Sequence, residues 1–186
     1  MPTDTYSIDE EIIEKIKTGK SEEYSRLVKR YEEKLKRYVY RLINRKEEVD
    51  DIVQNVFIKV YVNLPLFDKR LTFSSWIYRI AHNETINTLS STFLQKFVSI
   101  TDWFSFGKDD SIEDQIDDEI MKKKLKLCID QLDIKYKEPL VLFYYEEKTY
   151  EEISDILRIP VKTIGVLIYR AKLHIKKLCN EKNNSK

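Results

Sequence analysis

Apolar residues recur at helical spacing over two long stretches in the first third of the chain. The first stretch runs from Tyr24 to Leu42 and the second from Val49 to Leu64. Residues three and four positions apart lie on one side of an α-helix, so each stretch predicts a helix with one buried face. With only 3 Gly and 4 Pro among 186 residues, the chain has few positions for the tight turns of a sandwich or barrel. The sequence predicts an all-α protein.

Local signals place two further helices around these in the N-terminal part. Ser7 and Glu10 have the spacing of a capping box, which predicts a short helix that starts there and ends near Gly19. Pro65 ends the helix before it, because proline lacks a donor and clashes with the preceding turn. A fourth helix is predicted over Phe73–Leu89. We expect these four helices to form one bundle.

The C-terminal part has its own helical signals. Apolar residues between Met121 and Leu132 keep helical spacing, and another helix is predicted to begin at Pro139 and to run through Tyr145. Thr149 and Glu152 form a second capping box. This capping box marks the start of a short helix. A break at the Ile159-Pro160 pair and a second helix follow, and the three elements together predict a helix-turn-helix.

The net charge of +1 conceals an uneven distribution. Residues 1–96 have a net charge of +2, residues 97–119 of −7 and residues 120–186 of +6. The acidic segment also lacks a sustained apolar period, so we interpret the chain as an N-terminal helical domain (1–96), an acidic linker (97–119) and a C-terminal helix-turn-helix domain (120–186). The basic C-terminal end favours contact with nucleic acid, although a lysine-rich, frayed terminus would have the same composition.

Catalytic, metal and cofactor sites are not predicted. His82 and His174 lie in different halves, and His174 with Cys179 lacks the spaced ligand set of a zinc site. We expect His82 to be an ordinary surface or half-buried group. The glycines at 19, 107 and 165 are too scattered for a phosphate-binding loop. The carboxylates of Asp50 and Asp51 diverge by about 100° on a helix, which disfavours joint binding of a metal ion.

The two cysteines, Cys128 and Cys179, do not predict a disulfide framework in a chain of this size. No stretch approaches the roughly 18 uncharged apolar residues of a membrane span, and the N-terminus lacks the layout of a signal peptide. We therefore expect a cytoplasmic protein.

Three motifs resemble those of the extracytoplasmic-function (ECF) sigma factors of bacterial RNA polymerase. Residues 50–57 read DDIVQNVF, and residues 73–80 read FSSWIYRI with Asn83 following. The third motif, TYEEISDILRIPVKTIGVLIYRAK at 149–172, is similar to the helix-turn-helix of that family's second domain. The resemblance covers roughly 8–91 and 120–178, in the family's order and with its linker between.

The resemblance implies that the third helix binds a coiled coil of the largest polymerase subunit. Phe57 is more readily explained by core packing than by direct contact, whereas an exposed Gln54 contributes little to the fold. The residues that the resemblance assigns to polymerase binding, with their polar neighbours, are Asp50, Asp51, Gln54, Asn55, Phe57 and Lys59.

The resemblance also implies that the loop after Pro65 and the fourth helix recognise the opened −10 promoter element. Aromatic rings and cations are the groups that contact unstacked bases and a single strand. We favour a core position for Trp76 and allow one for Phe73. The chain has Asn87 and Ser90-Ser91 where the family commonly has an Asp and a basic pair. The predicted −10 residues are Phe67, Lys69, Arg70, Phe73, Trp76, Arg79, Asn83 and Asn87.

The second helix of the helix-turn-helix is implied to contact the −35 element. Its buried stripe is predicted to be Ile164, Ile168, Ala171, Ile175 and Leu178. Gly165, Val166 and Leu167 stand where the family often has basic and polar residues, and Arg158 stands where it often has glycine. We therefore expect recognition through backbone contacts and DNA shape more than through base-edge hydrogen bonds. The predicted −35 residues are Lys162, Thr163, Val166, Tyr169, Arg170, Leu173, Lys176 and Lys177.

The acidic linker has two interpretations. The resemblance implies passage through the cation-lined RNA-exit channel of the polymerase, whereas composition alone fits a solvated tether that its charges keep extended. The role of its three aromatic residues, Trp103, Phe104 and Phe106, stays open.

The partners implied are core RNA polymerase, promoter DNA and an anti-sigma factor, which in this family is often membrane-linked. No small-molecule substrate is expected, and the free protein is expected to be a monomer. A dimeric helix-turn-helix regulator would explain only the C-terminal third, and we find no heptad seam for dimerisation. A helical protein-binding adaptor, using the apolar residues of the last helix, is the other alternative.

Overall fold

The structure is a computed structural model that describes residues 3–68, 71–97 and 118–184. These residues form α-helices and two single 3-10 turns, with no strand among them, and the all-α prediction is confirmed. The 3-10 turns are Ser21–Glu23 and Leu64–Leu66. The helices are α1 (Thr3–Lys17), α2 (Tyr24–Ile43), α3 (Lys46–Asn63), α4 (Phe73–Phe97), α5 (Asp118–Asp130), α6 (Ile134–Tyr144), α7 (Tyr150–Leu157) and α8 (Val161–Asn184).

Two predicted helix starts are wrong. Helix α1 begins at Thr3, four residues before Ser7, in a segment whose threonine and aspartate are also suited to a helix start. Helix α6 begins at Ile134, because the Asp133 side chain accepts a hydrogen bond from the amide of Lys135 at 3.1 Å. Pro139 therefore lies inside α6, where it removes one backbone donor.

The helix-turn-helix forms as the sequence predicts. The Thr149 hydroxyl accepts from the Glu152 amide at 3.2 Å, and the Glu152 carboxylate accepts from the Thr149 amide at 3.0 Å. Helix α7 ends at Leu157, and the next residue, Arg158, has a left-handed backbone with φ of 58°. The amide of Thr163 donates to the carbonyl of Pro160 at 2.8 Å in the first turn of α8.

The N-terminal and C-terminal halves share one hydrophobic core. Side chains of α1 to α4 are buried together with residues of α6, α7 and α8, including Leu142, Ile153 and Ile164. Helix α6 packs on α2, and α7 packs on α4. A smaller core between α5, α6 and α8 contains Ile129 and Ala171. In this arrangement the C-terminal half is docked against the N-terminal half.

Several predicted features lie outside the described residues. These include Lys69 and Arg70 in the −10 set, and the linker aromatics Trp103, Phe104 and Phe106. The predicted linker is helical at its two ends, because α4 extends to Phe97 and α5 begins at Asp118.

The interpretation of the two cysteines needs a correction. Cys128 on α5 and Cys179 on α8 form a disulfide with a Cα–Cα distance of 5.9 Å. They are 51 residues apart, and nothing in the local sequence signals that their two helices meet.

Candidate functional site

The predicted polymerase-binding residues of α3 divide into an exposed group and one buried ring. Asp50, Asp51, Gln54 and Asn55 are exposed, and Asp50 pairs with Lys36 at 3.0 Å on the neighbouring helix α2. The Phe57 ring belongs to the core, as favoured from the sequence. Its carbonyl accepts a hydrogen bond from the Tyr24 hydroxyl at 2.6 Å.

Lys59, the remaining member of this set, forms an exposed ion pair with Glu84 of α4 at 2.5 Å. The same part of α3 exposes apolar side chains that the sequence pattern did not single out, namely Ile58 and Val62. Tyr61 belongs to the apolar residues at helical spacing between Val49 and Leu64, which were expected to face the bundle. It is nevertheless exposed and packs edge-on against Tyr24 with ring centroids 5.0 Å apart. The outer side of α3 is thus polar near its start and apolar near its end.

Two of the predicted −10 residues are buried. Phe67 is 5% exposed and Phe73 is 2% exposed. Their rings lie edge-to-face with centroids 5.8 Å apart, and Phe73 also packs against Tyr31. Neither ring presents a face on which a base can stack, so we propose no direct contact of Phe67 or Phe73 with DNA.

Trp76 is half-buried and packs against both buried rings, with centroid distances of 5.1 Å to Phe67 and 5.8 Å to Phe73. Trp76 therefore occupies the predicted core position only in part. The other side of Trp76 lines an open groove of about 570 Å³. This groove, which we call the α4 groove, also contains Arg79, Asn83 and Asn87. It brings together the −10 residues of α4 that are not buried.

Arg79 is engaged by the C-terminal half. Its Nε donates a hydrogen bond to the carbonyl of Asp155 in α7 at 2.7 Å. Burial lowers the pKa of Arg79, and the nearby charge of Arg158 lowers it further. Helix α7 thus binds the guanidinium of Arg79, a cation that the sequence analysis assigned to contact with promoter DNA.

The predicted buried stripe of α8 is confirmed, since Ile164, Ile168 and Ala171 are buried and Ile175 and Leu178 are half-buried. The opposite side is exposed and largely apolar. Val166 is 47% exposed, Tyr169 is 63% exposed and Leu173 is 49% exposed. The cations Lys162, Arg170, Lys176 and Lys177 are exposed along the same helix, and Thr163 is half-buried.

Gly165 lies where α8 passes close to α7. A Cβ atom at this position would stand 3.4 Å from the ring of Tyr150. The glycine therefore gives the two helices of the helix-turn-helix room for a close approach, although its space is not closed to a methyl group.

A buried polar network joins the two halves. The Tyr38 hydroxyl of α2 donates to the carboxylate of Glu138 in α6, and Nδ1 of His82 in α4 lies 2.7 Å from the same carboxylate oxygen. Burial and the Glu138 charge raise the pKa of Tyr38. His82, expected to be an ordinary surface or half-buried group, is half-buried and contributes directly to this contact between halves.

A second set of contacts lies nearby. The Tyr78 hydroxyl donates to Glu146 at 2.5 Å, and the Lys148 ammonium donates to the Ser74 hydroxyl at 2.6 Å. Burial lowers the pKa of Lys148, partly offset by Glu152. Sequence periodicity had no means of finding these pairs, because their partners are about 70 residues apart.

The sequence matches two family descriptions in the order that the motifs imply. Sigma-70 region 2 matches residues 27–92, and Sigma-70, region 4 matches residues 122–175. The ECF RNA polymerase sigma factor SigW of Bacillus subtilis (strain 168) is 31% identical over 174 residues, which are 89% of this chain and 93% of that protein. The chain belongs to the ECF sigma factors of RNA polymerase. Its function is therefore that of a sigma factor, which directs promoter-specific initiation by core RNA polymerase.

Other relatives and solved structures agree with this membership. RNA polymerase sigma-H factor of Pseudomonas aeruginosa (strain PAO1) is 28% identical, over 93% of this chain and 94% of that protein. CnrH, solved in complex with the cytosolic domain of CnrY, has a TM-score of 0.67 at 19% identity over 92% of this chain and 97% of that one. The sigma factor RpoE from Bartonella quintana, solved with the anti-sigma factor NepR, has a TM-score of 0.67 at 16% identity, over 84% and 96% of the two chains. At these identities the two structures support the fold.

Two further observations concern the described residues only. They contain no group of three or more His, Cys, Asp or Glu side chains arranged to hold a metal ion. Within the same parts of the chain, none of the helices has the length and apolarity needed to cross a membrane.

Proposed function

We propose that this sigma factor uses three separate surfaces, one for core polymerase and one for each promoter element. The observation that carries the proposal is that the motif residues on α3, α4 and α8 form three distinct solvent-accessible surfaces on one fold. The protein has no catalysis of its own and no cofactor in this proposal, since the polymerase performs the chemistry.

The polymerase surface comprises Asp51, Gln54 and Asn55 on the exposed side of α3. These polar side chains take no part in the core, so their positions are free to serve recognition. Asp50 contributes a charge that Lys36 already pairs at the surface, and an exposed pair of this kind is readily exchanged for a partner's charge. Phe57 acts indirectly by fixing α3 in the bundle.

The −10 surface is the α4 groove. An indole at its wall, the Arg79 guanidinium and the amides of Asn83 and Asn87 supply stacking, charge and hydrogen bonds for an unpaired strand. On sequence grounds we add to the −10 set the cations Lys69 and Arg70, which precede α4 in the chain.

The −35 surface is the exposed side of α8. Lys162, Arg170, Lys176 and Lys177 supply phosphate contacts, and the hydroxyl-bearing Thr163 stands at the start of the helix. Val166 and Leu173 are placed to touch thymine methyl groups, with Tyr169 between them. Phosphate contacts position the helix, while the apolar contacts and DNA shape select the sequence.

Recognition of both elements requires the two halves to separate. The −35 and −10 elements are centred about 25 base pairs apart, or about 85 Å at a rise of about 3.4 Å per base pair. A compact chain of this length has a radius of gyration of only about 16 Å. We therefore propose that residues 1–96 and 120–186 act as separate domains on the polymerase, joined by the linker at 97–119, and that the docked arrangement is the inactive form.

Regulation by an anti-sigma factor fits this proposal, because a partner that binds the docked form would keep it from the promoter. One structural neighbour, RpoE from Bartonella quintana, was solved with the anti-sigma factor NepR. We place the free protein in the cytoplasm as a monomer, where core polymerase and the chromosome are found.

The test is reconstituted transcription with core RNA polymerase, with and without the protein, on templates carrying candidate promoters from the host genome. We expect start sites that depend on the protein and disappear when either promoter element is scrambled. Stable binding of the core enzyme without initiation on any template of a genomic library would contradict the proposal.

A further inference from the structure

The disulfide between Cys128 and Cys179 concerns the only two cysteines of the chain. Cys128 is the third residue from the end of α5, and Cys179 is near the end of α8. Cys128 is 1% exposed, whereas Cys179 is half-buried. The two cysteines are 51 residues apart in the sequence, so only the tertiary fold brings them together.

The bond closes the smaller hydrophobic core. Ile129 lies next to Cys128, and Leu178 lies next to Cys179; both belong to the cluster between α5, α6 and α8. Helix α5 is amphipathic only over a short length and exposes Leu125 and Leu127. Its attachment to α8 therefore depends on few apolar contacts, and a covalent bond at this point strongly affects it.

Disulfides are unusual in a reducing compartment, and those found there are mostly transient or redox-sensing. A sigma factor acts where core polymerase and DNA are, so this part of the reasoning rests on the proposed function. We propose that Cys128 and Cys179 are a reversible thiol-oxidation site of this protein. Its substrate class is a small peroxide as oxidant, with a low-molecular-weight thiol as reductant.

The chemistry is balanced as two steps. The half-buried Cys179 thiolate attacks a peroxide oxygen, which breaks the O–O bond and gives a sulfenic acid and, for hydrogen peroxide, one water. The Cys128 thiolate then attacks the sulfenic sulfur, forms the S–S bond and releases the hydroxyl group as a second water. The two thiols have lost two electrons and two protons in total. A thiol reductant reverses the reaction by exchange, and is itself oxidised to its disulfide.

The order in which the two cysteines react follows from their exposure to solvent. Cys179 is accessible to a small oxidant, whereas Cys128 is reached from within the protein.

The oxidised and reduced forms differ in how firmly α5 is held. In the oxidised form α5 is bonded to α8, which also fixes the last turns of α8 beyond Lys176. Helix α5 further contacts the N-terminal half, because the Lys126 ammonium lies 5.5 Å from the ring centroid of Tyr40 in α2. Oxidation thus stabilises the C-terminal domain and the docked arrangement together.

The first experiment counts thiols in the full-length protein. The protein is reduced with dithiothreitol, desalted, treated with stoichiometric hydrogen peroxide and analysed by intact mass under denaturing conditions. We expect a monomer that has lost two hydrogens, and recovery of both thiols after incubation with reduced glutathione. The matched variants Cys128→Ala and Cys179→Ala retain one thiol each and should not lose two hydrogens as monomers. Oxidation that yields only intermolecular dimers or sulfinic acid overturns the proposal, as does a bond that glutathione does not reduce.

The second experiment compares the two wild-type forms by thermal unfolding and by amide hydrogen exchange. We expect the oxidised form to melt at least about 5 °C higher, with slower exchange in α5 and in the last turns of α8. This difference should vanish in both alanine variants. Identical melting and exchange for the two forms would overturn the stabilising role. Neither experiment uses polymerase or DNA. A failed transcription assay would therefore contradict the proposed function without affecting the outcome of these two experiments.

Discussion

The Tyr38 hydroxyl donates a hydrogen bond to the carboxylate of Glu138, 100 residues further along the chain. Tyr38 is fully buried in α2, and Glu138 is buried in α6. The contact places a neutral donor and a carboxylate between the two halves of the protein. Removing Glu138 leaves the Tyr38 hydroxyl buried without its acceptor, which costs more than the net contribution of the bond, whereas removing the hydroxyl leaves Glu138 in contact with His82.

The raised pKa of Tyr38 predicts a specific loss of stability at alkaline pH. Its folded-state pKa is above the unfolded value of about 10. The stability that this shift contributes is therefore complete below pH 10 and is lost as the pH rises above it. We expect the free energy of unfolding of the wild type to fall by about 1 kcal/mol more than that of Tyr38→Phe between about pH 10 and 11. Urea unfolding of both proteins across this range measures the difference, and parallel curves would contradict the assignment.

Glu138→Ala is expected to shift the protein toward an open form. The substitution leaves the Tyr38 hydroxyl without its acceptor and removes the His82 contact, a cost of about 2–4 kcal/mol. Small-angle X-ray scattering should show a larger radius of gyration at unchanged helical content by circular dichroism. Glu151→Ala, at an exposed position of α7, is the control and should scatter like the wild type. An unchanged radius of gyration in Glu138→Ala would mean that the polar network does not hold the halves together.

Gln54→Ala tests the polymerase surface. The side chain is exposed and absent from the core, so we expect unchanged thermal stability and at least about a tenfold weaker binding of core polymerase, equivalent to about 1.4 kcal/mol. Fluorescence anisotropy with labelled protein measures the binding constant. Glu47→Ala, exposed about two helical turns before Gln54 on α3, should bind like the wild type. Equal losses in both variants would point to a general charge or folding effect.

The −35 surface predicts two different responses on α8. Val166→Ala should alter the preference among −35 sequences, because its methyl groups are placed for contact with bases. Lys176→Ala should weaken binding uniformly and reduce the salt dependence by about one ion, because it contacts a phosphate. Binding of the wild type and of each variant to a set of −35 sequences at several salt concentrations separates these effects. If Val166→Ala changes only the binding of an anti-sigma factor, the apolar side of α8 is a protein-binding surface.

Arg158→Gly is expected to stabilise the protein. Arg158 adopts φ of 58°, a conformation that glycine takes without steric cost. Its charge also lowers the pKa of Arg79, so its removal relieves a repulsion. We expect a gain of about 0.5–1 kcal/mol in the free energy of unfolding. Arg170→Gly, in the middle of α8, should instead lose about 1 kcal/mol. A destabilised Arg158→Gly protein would show that this arginine makes a contact worth more than the backbone strain.

The local sequence was sufficient for the helices and for the exposed sides of the functional elements. The stripe of Ile164, Ile168 and Ala171, the capping box at Thr149 and the polar side of α3 around Gln54 all follow from periodicity and spacing along one helix. At helix starts, such signals fail where a second local signal competes. At the start of α6, capping by Asp133 overrides the preference of Pro139 for a first turn.

The tertiary structure decided which surfaces meet. Periodicity identifies the side of a helix that is buried, but it does not identify what buries it, because the partner lies elsewhere in the chain. For that reason the sequence alone determined an all-α sigma-like chain with a helix-turn-helix. Only the packing of distant helices placed Phe67 and Phe73 in the core, joined Tyr38 to Glu138, covered Arg79 with α7 and brought Cys128 to Cys179.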